Sequence, residues 1–346
     1  LLFEGTGAIP DYAFLGFDIG SVTLGDGVKR VGKYAFCYCK SLASLSLGDG
    51  VEEIGERAFN MCISLADLSL GTGLGSVGKY AFAGCENLSC TVRIPASLTG
   101  LDASAFINAP IAAFEADEGN PAYSARDGVL FDKEMKILVA YPRGKADETY
   151  TAPVGLNEVV QYAFYGNTFL KSVVFSAGLK VIGESAFENC TSLAEISFSL
   201  SSGSSNVTSV GRYAFKNTAY YNDEKNWVEG ILILGSIILE AKKDISAGGN
   251  WAVKTIADYA FHGCSQMKYF ILTKATVYIG KHAFGNTGSG FKLFYGGTKA
   301  QWSIVRKGEG IPSDVYFYSE TEPTGEGNYW HYDDDGTWTP EIWGAV

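Results

Sequence analysis

The stretch "VGKYAF", Val31–Phe36, returns in closely related forms along a chain of 346 residues. Ten Ala-Phe pairs share one frame, and in the best-preserved stretches successive pairs lie 22 to 24 residues apart. Such a period is typical of solenoids, in which each repeat packs only against its neighbours. The sequence therefore predicts a stacked repeat of about 23 residues per unit. Its phenylalanines are Phe14, Phe36, Phe59, Phe82, Phe106, Phe164, Phe187, Phe215, Phe261 and Phe284.

Each unit places a strand pattern after the Ala-Phe pair. The copies "VEEIGERAFNMCISLADLSLG" from Val51 and "LKVIGESAFENCTSLAEISFS" from Leu179 share the form V-x-x-I-G-x-x-A-F-x-x-C-x-x-L-x-x-L-x-L. Serine and leucine alternate over Ser44–Leu47, which indicates a strand with one buried face. A single unit cannot bury that face alone, so the units must stack, with Phe above Phe. A recurring glycine, as at Gly32 and Gly55, is expected to permit a tight turn without a Cβ.

Composition limits the class of protein. Hydrophobic residues make up 47% of the chain and charged residues 19%, which supplies a core and argues against disorder. The formal net charge is -11 and the basic residues are scattered, so a nucleic acid partner is not expected. No window approaches the roughly 18 consecutive apolar residues of a membrane span, so membrane insertion is not expected. We also expect no signal peptide in the chain, because no basic and apolar leader follows Leu1.

Five of the seven cysteines stand three residues after a repeat phenylalanine. This periodicity favours reduced thiols in the core, together with the repeat phenylalanines. A disulfide between adjacent units, such as Cys39 with Cys62, is the alternative, and the paired C-x-x-C spacing of a zinc site is missing. The predicted structural residues are Phe36, Phe59, Phe82, Phe164, Phe187, Phe261, Cys39, Cys62, Cys85, Cys190 and Cys264.

No arrangement of residues predicts catalysis, a metal or a cofactor. The three histidines form no H-x-x-x-H pattern, and no G-x-S-x-G motif occurs. Neighbouring carboxylates such as Glu52 and Glu53 diverge in an extended chain, which does not suit a glycosidase pair. The run Asp333–Gly336 lacks the spacing of a calcium loop and indicates a turn.

The repeat resembles the BspA-like leucine-rich repeats of surface proteins from gut and oral bacteria. The resemblance covers Ala8 to Thr287 and rests on Ile-Gly-x-x-Ala-Phe followed by Cys or Asn. It implies a mainly β solenoid with turns over residues 1–290 and a capping segment over 291–346. Hairpin-type insertions are expected at about 115–152 and 219–252.

The resemblance also implies a function at the outward strand face. We expect a non-enzymatic, monomeric module, secreted or held at the cell surface, that adheres to matrix proteins or glycoproteins of a host or a neighbouring cell. The alternative is an inert spacer of a larger surface protein, since small Ser and Thr side chains would suit an inert face. Binding hot spots favour Tyr, Trp and Arg. The candidate contacts on the strand face and cap are Asp67, Arg93, Glu195, Tyr269, Trp302 and Trp330.

Overall fold

A computed structural model describes residues 1–199, 206–249, 251–333 and 339–344. They form about 13 solenoid turns with the predicted spacing of about 23 residues. The predicted turn at Asp334–Gly336, and Trp338 beside it, lie outside the described residues.

The chain divides into two compact units. The first contains Leu1–Ser197 and Tyr213–Tyr220, and the second contains Phe198–Arg212 and Tyr221–Val346. Helix in the described residues is confined to α1 (Ala219–Asn222), one 3-10 turn (Glu224–Asn226) and α2 (Lys299–Ile304).

Strands β1 to β19 begin in the first unit. In chain order they are β1 (Leu2–Phe3), β2 (Gly7–Ile9), β3 (Ser21–Leu24), β4 (Val28–Val31), β5 (Ser44–Leu47), β6 (Glu53–Ile54), β7 (Asp67–Ser69), β8 (Ser76–Val77), β9 (Thr91–Ile94), β10 (Gly100–Leu101), β11 (Ala113–Ala116), β12 (Tyr123–Arg126), β13 (Val129–Asp132), β14 (Ile137–Ala140), β15 (Thr149–Thr151), β16 (Glu158–Val159), β17 (Ser172–Phe175), β18 (Val181–Ile182) and β19 (Glu195–Phe198).

Strands β20 to β32 belong to the second unit. They are β20 (Ser209–Val210), β21 (Trp227–Val228), β22 (Ile231–Leu234), β23 (Ile237–Ala241), β24 (Ala247–Gly249), β25 (Thr255–Ile256), β26 (Tyr269–Leu272), β27 (Tyr278–Ile279), β28 (Lys292–Tyr295), β29 (Arg306–Lys307), β30 (Val315–Tyr318), β31 (Tyr329–Tyr332) and β32 (Pro340–Ile342).

Two ladders of parallel strands run through the first unit. β1 and the strands at the equivalent position of later repeats form the sheets β1-β3-β5-β7, β9-β11 and β15-β17-β19, which we call the long ladder. The strands before each turn form a short ladder that begins with β2-β4-β6-β8-β10. Ser44 pairs with Ser21 on one side and with Asp67 on the other, so equivalent repeat positions lie side by side.

The Ala-Phe turns form a third ladder, which is not a β-sheet. Backbone N–H groups of alternate residues donate to the next turn: Tyr34 to Glu56 O at 3.0 Å, Phe36 to Ala58 O at 2.7 Å, and Tyr38 to Asn60 O at 2.8 Å. Tyr34 and Tyr38 are left-handed, with φ of 54° and 61°. Non-glycine residues pay roughly 1–2 kcal/mol for that conformation. In these turns the left-handed conformation directs alternate backbone N–H groups toward the next turn.

The repeat phenylalanines stack inside these turns. In the first unit, ring centroids from Phe14 to Phe106 follow one another at 5.0 to 5.3 Å with nearly parallel planes. A second stack runs from Tyr141 through Phe164 and Phe187 at 4.6 and 4.5 Å. The break between the stacks coincides with the first insertion. The predicted core thiols Cys39, Cys62, Cys85, Cys190 and Cys264 and the phenylalanines Phe36, Phe59, Phe82, Phe164, Phe187 and Phe261 are all buried.

The recurring glycine was expected to permit a tight turn, but the structure shows a different reason for it. The left-handed residues are instead the second residue before and the second residue after the repeat phenylalanines, except that Ser104, before Phe106, is not left-handed. A Cβ on Gly55 would lie 2.9 Å from the carbonyl carbon of Gly32 in the preceding turn, and one on Gly183 would lie 2.5 Å from that of Val160. The glycine is needed because adjacent turns approach closely at this point.

Both expected hairpin insertions are present and have the same design. Asp127-Gly128 and Glu229-Gly230 turn with paired positive φ values of 53° and 78°, and 50° and 78°. This geometry is typical of tight two-residue hairpins. Each insertion adds the antiparallel strands β12-β13-β14 or β21-β22-β23, and its last strand joins a parallel ladder through β16 or β25.

The strand ladder continues into the segment predicted as a cap. In the second unit, β28 pairs in parallel with β26, and β30 pairs in parallel with β28. Beyond them β31 continues the parallel order, and β32 returns antiparallel to β31. The segment 291–346 therefore begins as further repeat strands and ends in a hairpin.

We predict that Gly183→Ala lowers the free energy of unfolding by about 1–3 kcal/mol, as overpacking does elsewhere. Gly20→Ala is the matched control, because its Cβ would meet no heavy atom within 4 Å and Gly20 is not left-handed. The control should change stability by less than about 0.5 kcal/mol. Urea denaturation followed by circular dichroism measures both. Equal losses would show that close approach is not why the glycine recurs.

Candidate functional site

The outward face of the long ladder in the first unit carries mostly small polar side chains. Asp67, Arg93 and Glu195 project from this face and are exposed. Arg93 Nε lies 3.0 Å from Glu115 Oε2 on the next strand, and both side chains are largely exposed. Exposed ion pairs contribute about 0–1 kcal/mol to the free energy of unfolding. The other outward residues include Ser21, Thr23, Ser44, Ser46, Ser69, Thr149, Thr151 and Ser172.

The outward face of the second unit is aromatic instead. Parallel register aligns Tyr269 with Lys292, and Ile271 with Phe294 on β28. Tyr316 on β30 follows Phe294 in the same row. Ile271 and Phe294 form an apolar cluster with Trp330, against which Tyr269, Tyr316, Tyr332 and Ile342 pack.

A groove of about 700 Å³ opens beside this cluster. This volume is within the roughly 300–1,000 Å³ range of ligand pockets in proteins. The groove offers apolar surface, two ammonium groups and one carboxylate. Its principal lining residues are Lys268, Tyr269, Lys292, Phe294, Glu341 and Ile342, and we call it the strand-face groove.

Trp330 corrects one sequence prediction. It was expected as an exposed contact, but its side chain is 0% exposed. Its Nε1–H donates to the carbonyl oxygen of Tyr295 at 3.1 Å, and its ring lies 5.4 Å from that of Phe294. Ile342, its partner across the β31–β32 hairpin, packs against the same cluster. Trp330 therefore supports the groove and cannot touch a partner.

Trp302 is placed apart from the strand-face groove. It lies on α2, which begins with a capping box formed by Thr298 and Gln301. Its ring is half-buried, 5.1 Å from the ring of Tyr295, and Lys307 Nζ lies 4.6 Å from its centroid. Of the six candidate contacts, Tyr269 alone lines the groove.

Sequence reasoning missed most of the groove, although part of the signal was present. Counting 23 residues onward from Tyr269 and Ile271 reaches Lys292 and Phe294, which are their partners in the ladder. Glu341 and Ile342 belong to no repeat, so the period could not have indicated them.

The cysteines have a structural role. Cys62 Sγ donates to Phe36 O at 3.1 Å, and Cys190 Sγ donates to Phe164 O at 3.0 Å, in each case in the preceding turn. Burial raises the pKa of Cys85 and of Cys190 to about 12. All seven cysteines are free, so the alternative of a Cys39–Cys62 disulfide is wrong.

The residues that the structure describes contain no cluster of metal-binding side chains. Within them, no three His, Cys, Asp or Glu side chains come together in a way that could hold a metal ion. Over the same residues, no helix is long and apolar enough to cross a membrane.

Comparison with protein families agrees with this geometry. The model described as "BspA type Leucine rich repeat region" matches six copies, over residues 7–121, 147–223 and 245–295. The chain belongs to this family. No curated protein sequence matches it.

Solved structures share the fold at low identity. The pneumococcal vaccine antigen PcpA is 20% identical with a TM-score of 0.52, over 92% of this chain and 85% of PcpA. A leucine-rich cell surface protein from Faecalibacterium prausnitzii is 23% identical with a TM-score of 0.42, over 88% and 87% of the two chains. A leucine-rich repeat protein from Eubacterium ventriosum is 19% identical with a TM-score of 0.47, over 83% and 90%. At these identities the PcpA likeness supports the fold alone.

We predict that Cys39, Cys62, Cys85, Cys190 and Cys264 do not react with the thiol reagent DTNB at pH 8 in the folded chain. The thiolate is the reactive form, and burial raises the pKa of each of these thiols. Absorbance at equilibrium, with mass spectrometry of the labelled sites, checks this. In denaturant all seven thiols should react. Rapid labelling of Cys62 or Cys190 without denaturant would contradict their place in the core.

Proposed function

We propose that the chain is a non-enzymatic surface module that binds a protein or glycoprotein through the strand-face groove. Its family supports the general role, because leucine-rich repeats of this type are generally binding scaffolds. The surface proteins among its structural relatives are consistent with a secreted or surface location.

The observation that carries the proposal is the difference in side chains between the outward strand face of the first unit and that of the second. The first unit presents serine and threonine, whereas the second presents Tyr269 and Lys292 beside a groove that the buried Phe294 also lines. Interface cores are enriched in aromatic residues and depleted of most charges, and their energy is concentrated in a few anchors. Tyr269 is half-buried and lies in the groove wall, which suits such an anchor.

The groove also indicates the chemistry of a partner. Lys268 and Lys292 place two ammonium groups on a chain whose formal net charge is -11. Lys292 Nζ lies 5.8 Å from the ring centroid of Tyr316, so its charge is held over the aromatic row. A partner that offers a carboxylate beside an apolar side chain would match both features. Adhesion to host matrix proteins is the form of this function that we propose.

An inert spacer is the second candidate. The observation that favours it is the first unit's face, where equivalent positions on successive strands are Ser21, Ser44 and Asp67. Such small and charged side chains provide few anchors.

We predict that the purified chain binds at least one of fibronectin, fibrinogen, collagen, laminin and mucin with micromolar affinity or better. Surface plasmon resonance at physiological salt measures this, with an unrelated acidic protein as the reference. Tyr269→Asn should weaken binding at least tenfold, because the anchor ring is lost. Tyr38→Asn is the matched control: Tyr38 is 49% exposed on an Ala-Phe turn, and asparagine tolerates its left-handed backbone.

This experiment distinguishes the two candidate functions. Flat responses across the panel would favour the spacer. Saturable binding that Tyr269→Asn leaves unchanged would show that the contact lies outside the strand-face groove.

A further inference from the structure

The first hairpin insertion interrupts the long ladder. β11 and β15 are consecutive strands of this ladder, yet β11 ends the sheet β9-β11 and β15 begins the sheet β15-β17-β19. Gly144 N–H donates to Ile111 O at 2.9 Å, just before the two strands diverge. β15 is therefore an edge strand inside the solenoid.

The insertion covers one of the two edges that it creates. Phe114 N–H on β11 donates to Gly128 O in the hairpin turn at 2.8 Å. Among the residues that the structure describes, β15 pairs only with β17. The hairpin thus satisfies the edge of β11, and the edge of β15 stays open.

The hydrogen bonds to β17 show which backbone groups are left at that edge. Ala152 N–H donates to Val174 O at 2.9 Å, and Glu148 O accepts from Lys171 N–H at 2.7 Å. Along a parallel strand, alternate residues bond to opposite sides. The even-numbered residues of this stretch face β17, so the backbone N–H and C=O groups of Thr149 and Thr151 face the open edge. Pairing would end at Pro153, which has no N–H.

A groove lies along this edge. Its volume is about 640 Å³, and we call it the hairpin groove. Phe131, Tyr150 and Ala152 line it with apolar atoms, and Val154 at its rim is 96% exposed. The hydroxyl oxygen of Tyr150 is buried and has no hydrogen-bond partner within the described part of the chain.

The charges along the groove are already paired. Arg126 Nε lies 3.6 Å from Asp127 Oδ2, and Lys136 forms an ion pair with Glu134. The groove therefore offers no net charge to attract an ionic ligand. Its distinctive feature is a row of backbone donors and acceptors at strand spacing beside apolar surface.

We propose that the hairpin groove binds an extended peptide segment of a partner protein, which adds as a strand to the open edge of β15. Main-chain hydrogen bonds to Thr149 and Thr151 supply affinity in this mode of recognition, and pockets for alternate side chains supply specificity. In the bound segment, every second side chain rests on Phe131 and Ala152. The peptide thus alternates apolar with polar residues. This site shares no residue with the strand-face groove, so either site can fail without affecting the other.

The test uses the full chain and an array of capped seven-residue peptides that alternate Val or Phe with Thr or Lys, together with scrambled versions. At least one alternating peptide should bind with a micromolar Kd by fluorescence polarisation, and its scrambled version at least tenfold more weakly. Thr151→Pro should weaken binding at least tenfold, because it removes an N–H that faces the edge and leaves the β15–β17 bonds intact. Thr151→Ala, which retains the N–H, should change binding less than twofold.

A second arm changes only the peptide and so does not depend on folding of the variants. N-methylation of the amides that face β15 should abolish binding, whereas N-methylation of the alternate amides should be tolerated. Equal effects of the two methylation patterns would overturn the proposal, as would unchanged binding by Thr151→Pro or no binding by any alternating peptide. Selective binding of soluble oligosaccharides, or dimerisation lost in Thr151→Pro, would assign the groove to another occupant and equally overturn it.

Discussion

The structure depends on the hydrogen bonds between successive Ala-Phe turns. Tyr34, Phe36 and Tyr38 each donate a backbone N–H to the next turn, and Tyr34 and Tyr38 adopt left-handed backbone conformations in doing so. The same spacing brings the ring of Phe36 to 5.2 Å from that of Phe59. Stacked aromatic pairs contribute about 0.5–1.5 kcal/mol beyond burial, which helps to offset the backbone strain. A single turn has no neighbour with which to form these hydrogen bonds and ring contacts. The turns are therefore stable only as a stack.

Stacking separates the positions that hold the fold from those that can vary. Inward residues such as Phe59 and Cys62 contact the preceding turn and cannot change size without a cost to packing. Outward strand residues have no such restriction, and they include serine at Ser44 in the first unit and tyrosine at Tyr269 in the second. The hairpin insertions add a second kind of variation, because one of them leaves β15 at an edge. Recognition can therefore change while the scaffold stays the same.

The period predicted the repeated features, and other features needed the structure. Phe36 and Cys39 recur at fixed spacing, so their burial followed from the sequence. The burial of Trp330 could not be read from "YWHYDD", because it depends on β32 returning along β31. The reason for Gly55 was missed because close approach involves another turn, 23 residues earlier at Gly32. The strand-face groove was missed for the same reason, since Glu341 lies far from Tyr269 in sequence.

In the proposed function, binding belongs to the outward strand residues of the second unit, whereas the Ala-Phe turns are scaffold. Amide hydrogen exchange of the chain, free and saturated with the matrix protein that it binds most tightly, tests this most directly. We expect added protection at residues 268–272 and 290–296, and at 340–342 beside them. Protection centred instead on Ala-Phe turns such as 33–38 and 57–61 would contradict the proposed function.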